Sequence, residues 1–238
     1  IDNVFRNSLT LMSKFHFVSS EKYKKQVIAL IGSENKNNVF NVGALSIDNL
    51  KDLTFLSLQD FKNKFNIDLS KKSILITFHP ETVSFENNTK HINELLSALK
   101  KLDTYQLIIT MPNNDTMGNM IRVKLYDFID KSKNAIGIES FGTIGYLTCM
   151  KHCLFMLGNT SSGFVEASFF PKFVINIGDR QKGRIMTSNI FNSPIKERDI
   201  LNTVIKIESR SSPIKTNIYG SGNTSANILN ILNKKLLK

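Results

Sequence analysis

Apolar residues in this chain recur with two periods, and the two periods take turns. Ser73-Ile-Leu-Ile-Thr77 is almost unbroken apolar sequence, and so are the runs 105–110, 135–138, 153–157 and 173–177. Continuous apolar runs of four to six residues fit strands buried on both faces, as in a parallel sheet. Between them the period lengthens to that of amphipathic helices, which predicts helices over 88–101, 117–130, 143–152 and 162–168. Upstream, Val4, Leu9, Leu11 and Met12 suggest a helix, His16 to Val18 a strand, Tyr23 to Ile31 a helix, and Val39 to Val42 a strand that ends at Gly43. The segment from there through Leu56 and Phe65 is more variable. Two further helices are predicted near 197–207 and 224–236, separated by Ser209, Ser211, Ser212 and Pro213. The alternation predicts an α/β fold, a Rossmann-like parallel sheet with helices on both faces.

In such sheets ligands bind outside the carboxyl ends of the strands. Polar residues gather at those ends here. His79 and Thr82 follow the first buried run, Pro112, Asn113 and Asp115 the second, and Glu139, Ser140 and Phe141 the third. Gly158-Asn-Thr-Ser-Ser-Gly163 follows the fourth, and Asp179, Arg180, Gln181 and Arg184 the fifth. The expectation is one mouth fed by five strand ends.

The Gly158–Gly163 stretch has the clearest chemistry. Its glycines let backbone come close to a ligand, and amides at the start of a helix are unpaired donors that favour an anion. Thr160, Ser161 and Ser162 can cap the predicted helix or donate to phosphate oxygens. Glu166, four residues beyond Ser162, falls on the same helical face and could accept from sugar hydroxyls. The plain alternative is a capped helix following a buried strand.

At 238 residues, 41% hydrophobic and 21% charged, the chain has the composition of a folded globular protein of one large or two modest domains. No apolar run reaches the roughly 20 residues that span a bilayer. Asp2, Arg6, Lys14 and His16 interrupt any signal-peptide core, so a cytoplasmic location is expected. The formal charge of +11, from 31 basic and 20 acidic side chains, raises the question of nucleic acid. The lysines are dispersed, however, and few aromatics lie among them, so a solvated surface that attracts small polyanions is the expectation. Cys149 and Cys153 flank His152, but no second ligand pair accompanies them, which favours two reduced packing cysteines over a metal. The chain opens on Ile1, and the expectation is that an N-terminal portion has been removed by processing or truncation.

Single residues carry competing meanings. His79, before Pro80, can donate to phosphate or be a satisfied loop histidine. Arg180 and Arg184 sit in a glycine-bounded loop and suit a diphosphate, since a guanidinium offers paired donors; a solvated loop is the alternative, and it is preferred for Lys182. Asn113 is either a ligand contact or ordinary Pro-Asn-Asn-Asp turn chemistry. His16, His91 and His152 read as structural or surface residues.

Four segments taken in order, Thr77-Phe-His-Pro-Glu-Thr82, Pro112-Asn-Asn-Asp115, Gly158-Asn-Thr-Ser-Ser-Gly163 with Glu166, and Ile177-Gly-Asp-Arg-Gln-Lys-Gly-Arg184, resemble the hydrolysing UDP-N-acetylglucosamine 2-epimerases. The resemblance runs from about Asp2 to the tail Tyr219-Gly-Ser-Gly-Asn-Thr224. It implies the C-terminal half of a glycosyltransferase-B-like two-domain architecture, with residues 1–41 as the remnant of the first Rossmann-like domain and 42–238 as the UDP-binding one. His79, Asn113, Ser140, Thr160, Ser161, Ser162, Gly163, Glu166, Arg180 and Arg184 become the UDP-site candidates. Ser161, His79 and Arg180 would hold the diphosphate, Glu166 the ribose hydroxyls, and His79 is the catalytic candidate.

The implied reaction removes the proton at sugar C2, expels UDP to give a glycal, and adds water with inversion at C2. Its products are UDP and an N-acetylmannosamine-type sugar for nonulosonic (sialic or legionaminic) acid biosynthesis. The substrate would be a UDP-N-acetylhexosamine, either plain N-acetylglucosamine or a 4-acetamido-6-deoxy derivative. Neither metal nor organic cofactor is implied, and the family tends to form homodimers. The acidic residues that serve as general acid and base in this family lie in its N-terminal domain, and no matching carboxylate motif occurs here. Ser221 stands where the family's tail usually has Asp, and Thr160 where Ser is usual. Three other readings compete: a nonhydrolysing 2-epimerase, a glycosyltransferase of the same architecture, and a noncatalytic nucleotide-binding module.

Overall fold

A computed structural model describes residues 2–81, 85–112 and 118–236 of the chain. In chain order the elements are α1 (Asp2–Met12), β1 (His16–Val18), α2 (Glu21–Ile31), β2 (Val39–Asn41), α3 (Leu45–Asp52), α4 (Leu58–Phe65), β3 (Ser73–Thr77), α5 (Asn88–Lys100) and β4 (Gln106–Thr110). They continue with α6 (Gly118–Lys131), β5 (Ala135–Ile138), α7 (Gly142–His152), β6 (Phe155–Gly158), α8 (Glu166–Phe169), β7 (Phe173–Ile177), β8 (Ile190–Ser193), α9 (Glu197–Glu208) and α10 (Thr224–Leu236). The chain divides into two compact units, Ile1–Leu53 with Thr216–Lys238, and Thr54–Lys215.

The larger unit is a six-stranded parallel sheet in the order β5-β4-β3-β6-β7-β8. Every residue of β3 and β7 is buried, so both faces are covered. Alternation assigns the two faces. Ile74, Ile76, Leu107, Ile109, Phe155, Leu157, Ile175 and Ile177 share one core with Ile92, Leu95 and Leu99 of α5, Ile121 and Leu125 of α6, and Ile200 and Val204 of α9. The intervening Leu75, Ile108, Met156 and Val174 are equally buried and face the opposite way. Each of these aliphatic side chains contributes about 1.5–3 kcal/mol by leaving water. A charge at Leu75 or Ile76 would therefore abolish the sheet.

The order places the topological switch between β3 and β6. The chain goes from β3 outward through β4 to β5, then returns to the other side of β3 and builds β6, β7 and β8. Loops leaving β3 and β6 diverge in opposite directions, which opens a crevice at their carboxyl ends.

The smaller unit contains a two-stranded parallel sheet, His16 opposite Val39 and Val18 opposite Asn41, crossed over by α2. Ser20 caps α2 by accepting from the Tyr23 amide at 3.3 Å. The α10 start is held by a carboxylate from α3: Asp48 accepts from the amides of Thr224 and Ser225, each at 2.8 Å. Burial raises the Asp48 pKa, but those amides and the Ser225 hydroxyl outweigh it and leave the carboxyl below its ordinary value.

Most predicted elements match the observed ones within one or two residues. Three differ. Strand β8 was not predicted, because Ile-Phe-Asn-Ser is half polar, as an edge strand is, and lacks the continuous apolar signal. Helices α3 and α4 occupy the segment read as variable; each is eight residues long, too short for a clear period. The helix predicted over 162–168 is instead a 3₁₀ turn, Ser161–Gly163, followed by the four-residue α8. Among the described residues no helix is long and apolar enough to cross a membrane.

Candidate functional site

At the crevice between β3 and β6, Gly158 ends its strand with φ 151°, and a β-carbon there would collide with the Thr77 carbonyl. Only glycine fits, so the chain can turn directly against β3. The next residue, Asn159, is fully buried and ties the two loops together. Its Oδ1 accepts from the His79 amide at 2.7 Å and its Nδ2 donates to the His79 carbonyl at 2.8 Å. Its backbone amide donates to Thr77 O at 3.1 Å. His79 is thereby held at a fixed height by both of its backbone polar groups.

The Asn159 carbonyl points the other way, to the loop after β7. It accepts from Gln181 Nε2 at 2.8 Å and from Arg180 Nη1 at 3.2 Å. Gln181 is buried, and its Oε1 accepts from Arg184 Nε at 2.5 Å. The Arg184 guanidinium also lies over the Phe164 ring, 5.9 Å from its centroid, which binds the same loop to the turn after β6. One asparagine therefore gathers residues from three strand ends.

The turn itself closes by Phe164 N–H to Ser161 O at 3.0 Å and by a longer bond from Gly163 N–H to Thr160 O. A 3₁₀ turn uses amides only from its later residues, so those of Ser161 and Ser162 open it as donors. The anion-binding expectation needs correction on one point. A macrodipole of consequence needs a long helix, and α8 spans only four residues, so the charge complement comes from amides, hydroxyls and arginines. Gly163 packs against Val174 and Phe164 is fully buried, which fixes the tight turn. Thr160 makes no side-chain cap; its Oγ1 pairs with Ser162 Oγ at 3.2 Å. Ser162 Oγ also pairs with the Tyr146 hydroxyl at 2.7 Å. Burial pushes the Tyr146 pKa up, so this phenol stays a neutral hydrogen-bonding group.

His79, Thr160, Ser161, Ser162, Gly163, Arg180 and Arg184 stand on the three adjacent carboxyl ends of β3, β6 and β7. Glu166 begins α8, half-buried. Ser140 lies apart, after β5 and two strands from β3, where its Oγ accepts from the Gly142 amide at 3.1 Å as the chain enters α7. Beside it, Glu139 accepts from Arg122 and from the Tyr126 hydroxyl. Asn113, Thr82 and Asp115 lie outside the described residues.

Sequence reasoning assigned no role to four residues that build the site: Asn159, Gln181, Glu81 and Tyr146. Asn159 and Gln181 stood inside segments already singled out, but a turn asparagine and a loop glutamine carry no signal of burial. Tyr146 had none at all. Cys149 and Cys153 are free and buried, and burial raises both thiols, Cys153 to about 11. Among the described residues no group of three or more His, Cys, Asp or Glu is placed to hold a metal ion.

A family model described as UDP-N-acetylglucosamine 2-epimerase matches residues 1–233. The chain belongs to that family. A GDP/UDP-N,N'-diacetylbacillosamine 2-epimerase (hydrolyzing) of Campylobacter jejuni is 40% identical over 200 residues, 84% of this chain and 52% of the relative. A UDP-N,N'-diacetylbacillosamine 2-epimerase (hydrolyzing) of Legionella pneumophila is 27% identical over 232 residues, 98% of this chain and 60% of the relative. In fold, the chain is similar to the UDP-GlcNAc 2-epimerase of Neisseria meningitidis solved with UDP-GlcNAc bound, with TM-score 0.77 at 20% identity, over 94% of this chain and 62% of that one. The chain thus spans about half to three fifths of the length of these proteins.

Proposed function

We propose that this chain is the UDP-binding part of a hydrolysing UDP-sugar 2-epimerase, which releases UDP and a mannosamine-type sugar. The observation that supports it most is the convergence on Asn159 of the His79 loop, the Ser161 turn and the Arg180–Arg184 loop at the switch crevice. Imidazole, backbone amides and guanidinium groups on one edge form a donor set for a diphosphate, and they are held before it arrives. In this reading His79, Ser161 and Arg180 bind the diphosphate, Thr160, Ser162, Gly163 and Arg184 shape its surroundings, and Glu166 takes the ribose hydroxyls. By the resemblance, Asn113 and Ser140 would complete the nucleotide site.

Such donors suit the expulsion of UDP, because negative charge accumulates on the departing diphosphate and fixed dipoles stabilise it without reorganising. Residues 1–41 would then close the preceding Rossmann-like domain, which in the resemblance supplies the general acid and base. The names of the Campylobacter and Legionella relatives favour a UDP-N,N'-diacetylbacillosamine substrate over plain UDP-N-acetylglucosamine.

Calorimetric titration tests the first claim: the 238-residue chain should bind UDP, and Arg180→Ala should weaken that binding about tenfold, the value of one charged hydrogen bond. Absence of UDP heat from folded protein sinks the reading. Product analysis on the full-length enzyme tests the second, since hydrolysing chemistry yields free UDP and free sugar, whereas nonhydrolysing chemistry yields an isomeric UDP-sugar and glycosyl transfer needs an acceptor.

A further inference from the structure

The loop that delivers the arginines has little support of its own. Gly178 and Gly183, which bracket it, both have positive φ, 72° and 91°. Within it, Lys182 N–H bonds Asp179 O at 2.9 Å and Arg184 N–H bonds Gln181 O at 3.2 Å. Its first residue, Gly178, donates to Ser193 O at 3.0 Å, and the next is held from the loop after β3. Glu81 is 7% exposed, and its Oε1 accepts from the Asp179 amide at 3.0 Å, one residue before Arg180. The same carboxylate occupies the space that a side chain at Gly178 would need.

Glu81 is itself held from both sides. Its backbone amide donates to Asn88 Oδ1 at 2.8 Å and its carbonyl accepts from Asn88 Nδ2 at 3.0 Å, with Asn88 fully buried. Beyond its other oxygen stands His91, whose buried Nδ1 lies 3.9 Å from Oε2. A buried carboxylate is unfavourable unless donors surround it. Here a backbone amide of the arginine loop is such a donor, and that bond is charge-assisted. Arg180 is thus held at two points, its backbone through Asp179 by Glu81 and its guanidinium by Asn159 O. Both holds originate on the loops that carry His79 and Ser161.

We propose that Glu81 is a positioning residue for Arg180: it keeps the 178–184 loop in register with His79 so that the guanidinium is already in place when a diphosphate arrives. The proposal rests on the UDP reading above. It follows the general rule that ordering a loop on binding weakens affinity, and ordering it beforehand removes that cost.

The test uses the 238-residue chain, UDP as probe, and two readouts, calorimetric affinity and hydrogen exchange of the 178–184 amides. Glu81→Ala should speed exchange across 178–184 and weaken UDP binding about tenfold, the scale of one charge-assisted hydrogen bond. Glu81→Gln keeps an oxygen at the acceptor position, and should hold exchange at the parent level and affinity within about threefold. A double variant, Glu81→Ala with Arg180→Ala, should bind no more weakly than Arg180→Ala alone, because the first acts through the second. Glu81→Ala binding UDP like the parent overturns the proposal, and so do losses that multiply in the double variant. A parent chain that ignores UDP fails the functional reading and the positioning role together, while faster exchange in Glu81→Ala would still identify the tie between the loops. Glu81→Gln guards against a misfolded alanine variant, since its fold is tested by the same exchange pattern.

Discussion

The two sides of the sheet's carboxyl edge are held together in opposite ways. Around β3, β6 and β7 the ties are buried and bind backbone: Asn159 to His79, Gln181 to Asn159, Glu81 to Asp179. Around β4 and β5 the ties of Glu139 are exposed and join side chains, Arg122 and Tyr126 to its carboxylate, while Arg122 makes one part-buried bond to backbone, donating to Pro112 O at 3.1 Å. The first side lies at the switch point, where diverging loops leave buried backbone groups that need partners. The second lies beyond it, where water can supply them. Rigidity is therefore built where the candidate diphosphate donors stand.

The buried side should break hardest. Gly158→Ala forces a β-carbon into the Thr77 carbonyl at a φ that L-residues avoid. A loss of about 4 kcal/mol or more is expected, seen as insoluble protein or a collapsed melting curve. Asn159→Ala comes next. It strands both backbone groups of His79 in a partly buried site, at about 1–3 kcal/mol each. Thermal melting should fall by about 8 °C or more for a domain of this size. Asn159→Asp should fare no better, because a carboxylate cannot donate to the His79 carbonyl.

A middling effect separates scaffold from ligand contact. Arg184→Ala removes a partly buried hydrogen bond to Gln181 and the contact over the Phe164 ring. A cost of about 1–2 kcal/mol in stability is expected, together with weaker UDP binding. Arg180 is exposed, so Arg180→Ala should weaken UDP binding and leave melting nearly unchanged. If the two arginines behave alike in both assays, the division between support and contact is wrong.

The same contrast explains what the sequence made legible. Buried strands announce themselves, since Ile74 to Ile76 and Phe173 to Ile177 can be nothing but interior, and the polar residues after them fall at one edge once the sheet is parallel. His79, Ser161 and Arg180 could be named that way. Asn159 and Glu81 could not, because their importance lies in which backbone groups they reach, and those partners are remote in sequence, His79 from Asn159 and Asp179 from Glu81. Hydrophobic pattern reports burial of apolar side chains and is silent on buried polar ones. The short turn at Ser161 escaped for a related reason: tight packing of Gly163 on Val174, a tertiary contact, ends what local pattern would extend as helix.

The smallest effect belongs to the exposed side and is read through pH. Hydrogen bonds from Arg122 and then Tyr126 hold the Glu139 carboxyl below its ordinary 4.5. A group with a depressed folded pKa adds its stability above the unfolded value and loses it as pH falls through the folded one. Arg122→Gln should therefore melt slightly below the parent near neutrality, within about 2 °C as exposed pairs do. That gap should close only below pH 4.5, as Glu139 becomes protonated. It should also narrow in high salt, which screens exposed charges and leaves the Asn159 ties untouched. A gap as wide as that of Asn159→Ala, or one indifferent to acid and salt, would show that this side of the edge is as firmly built as the other.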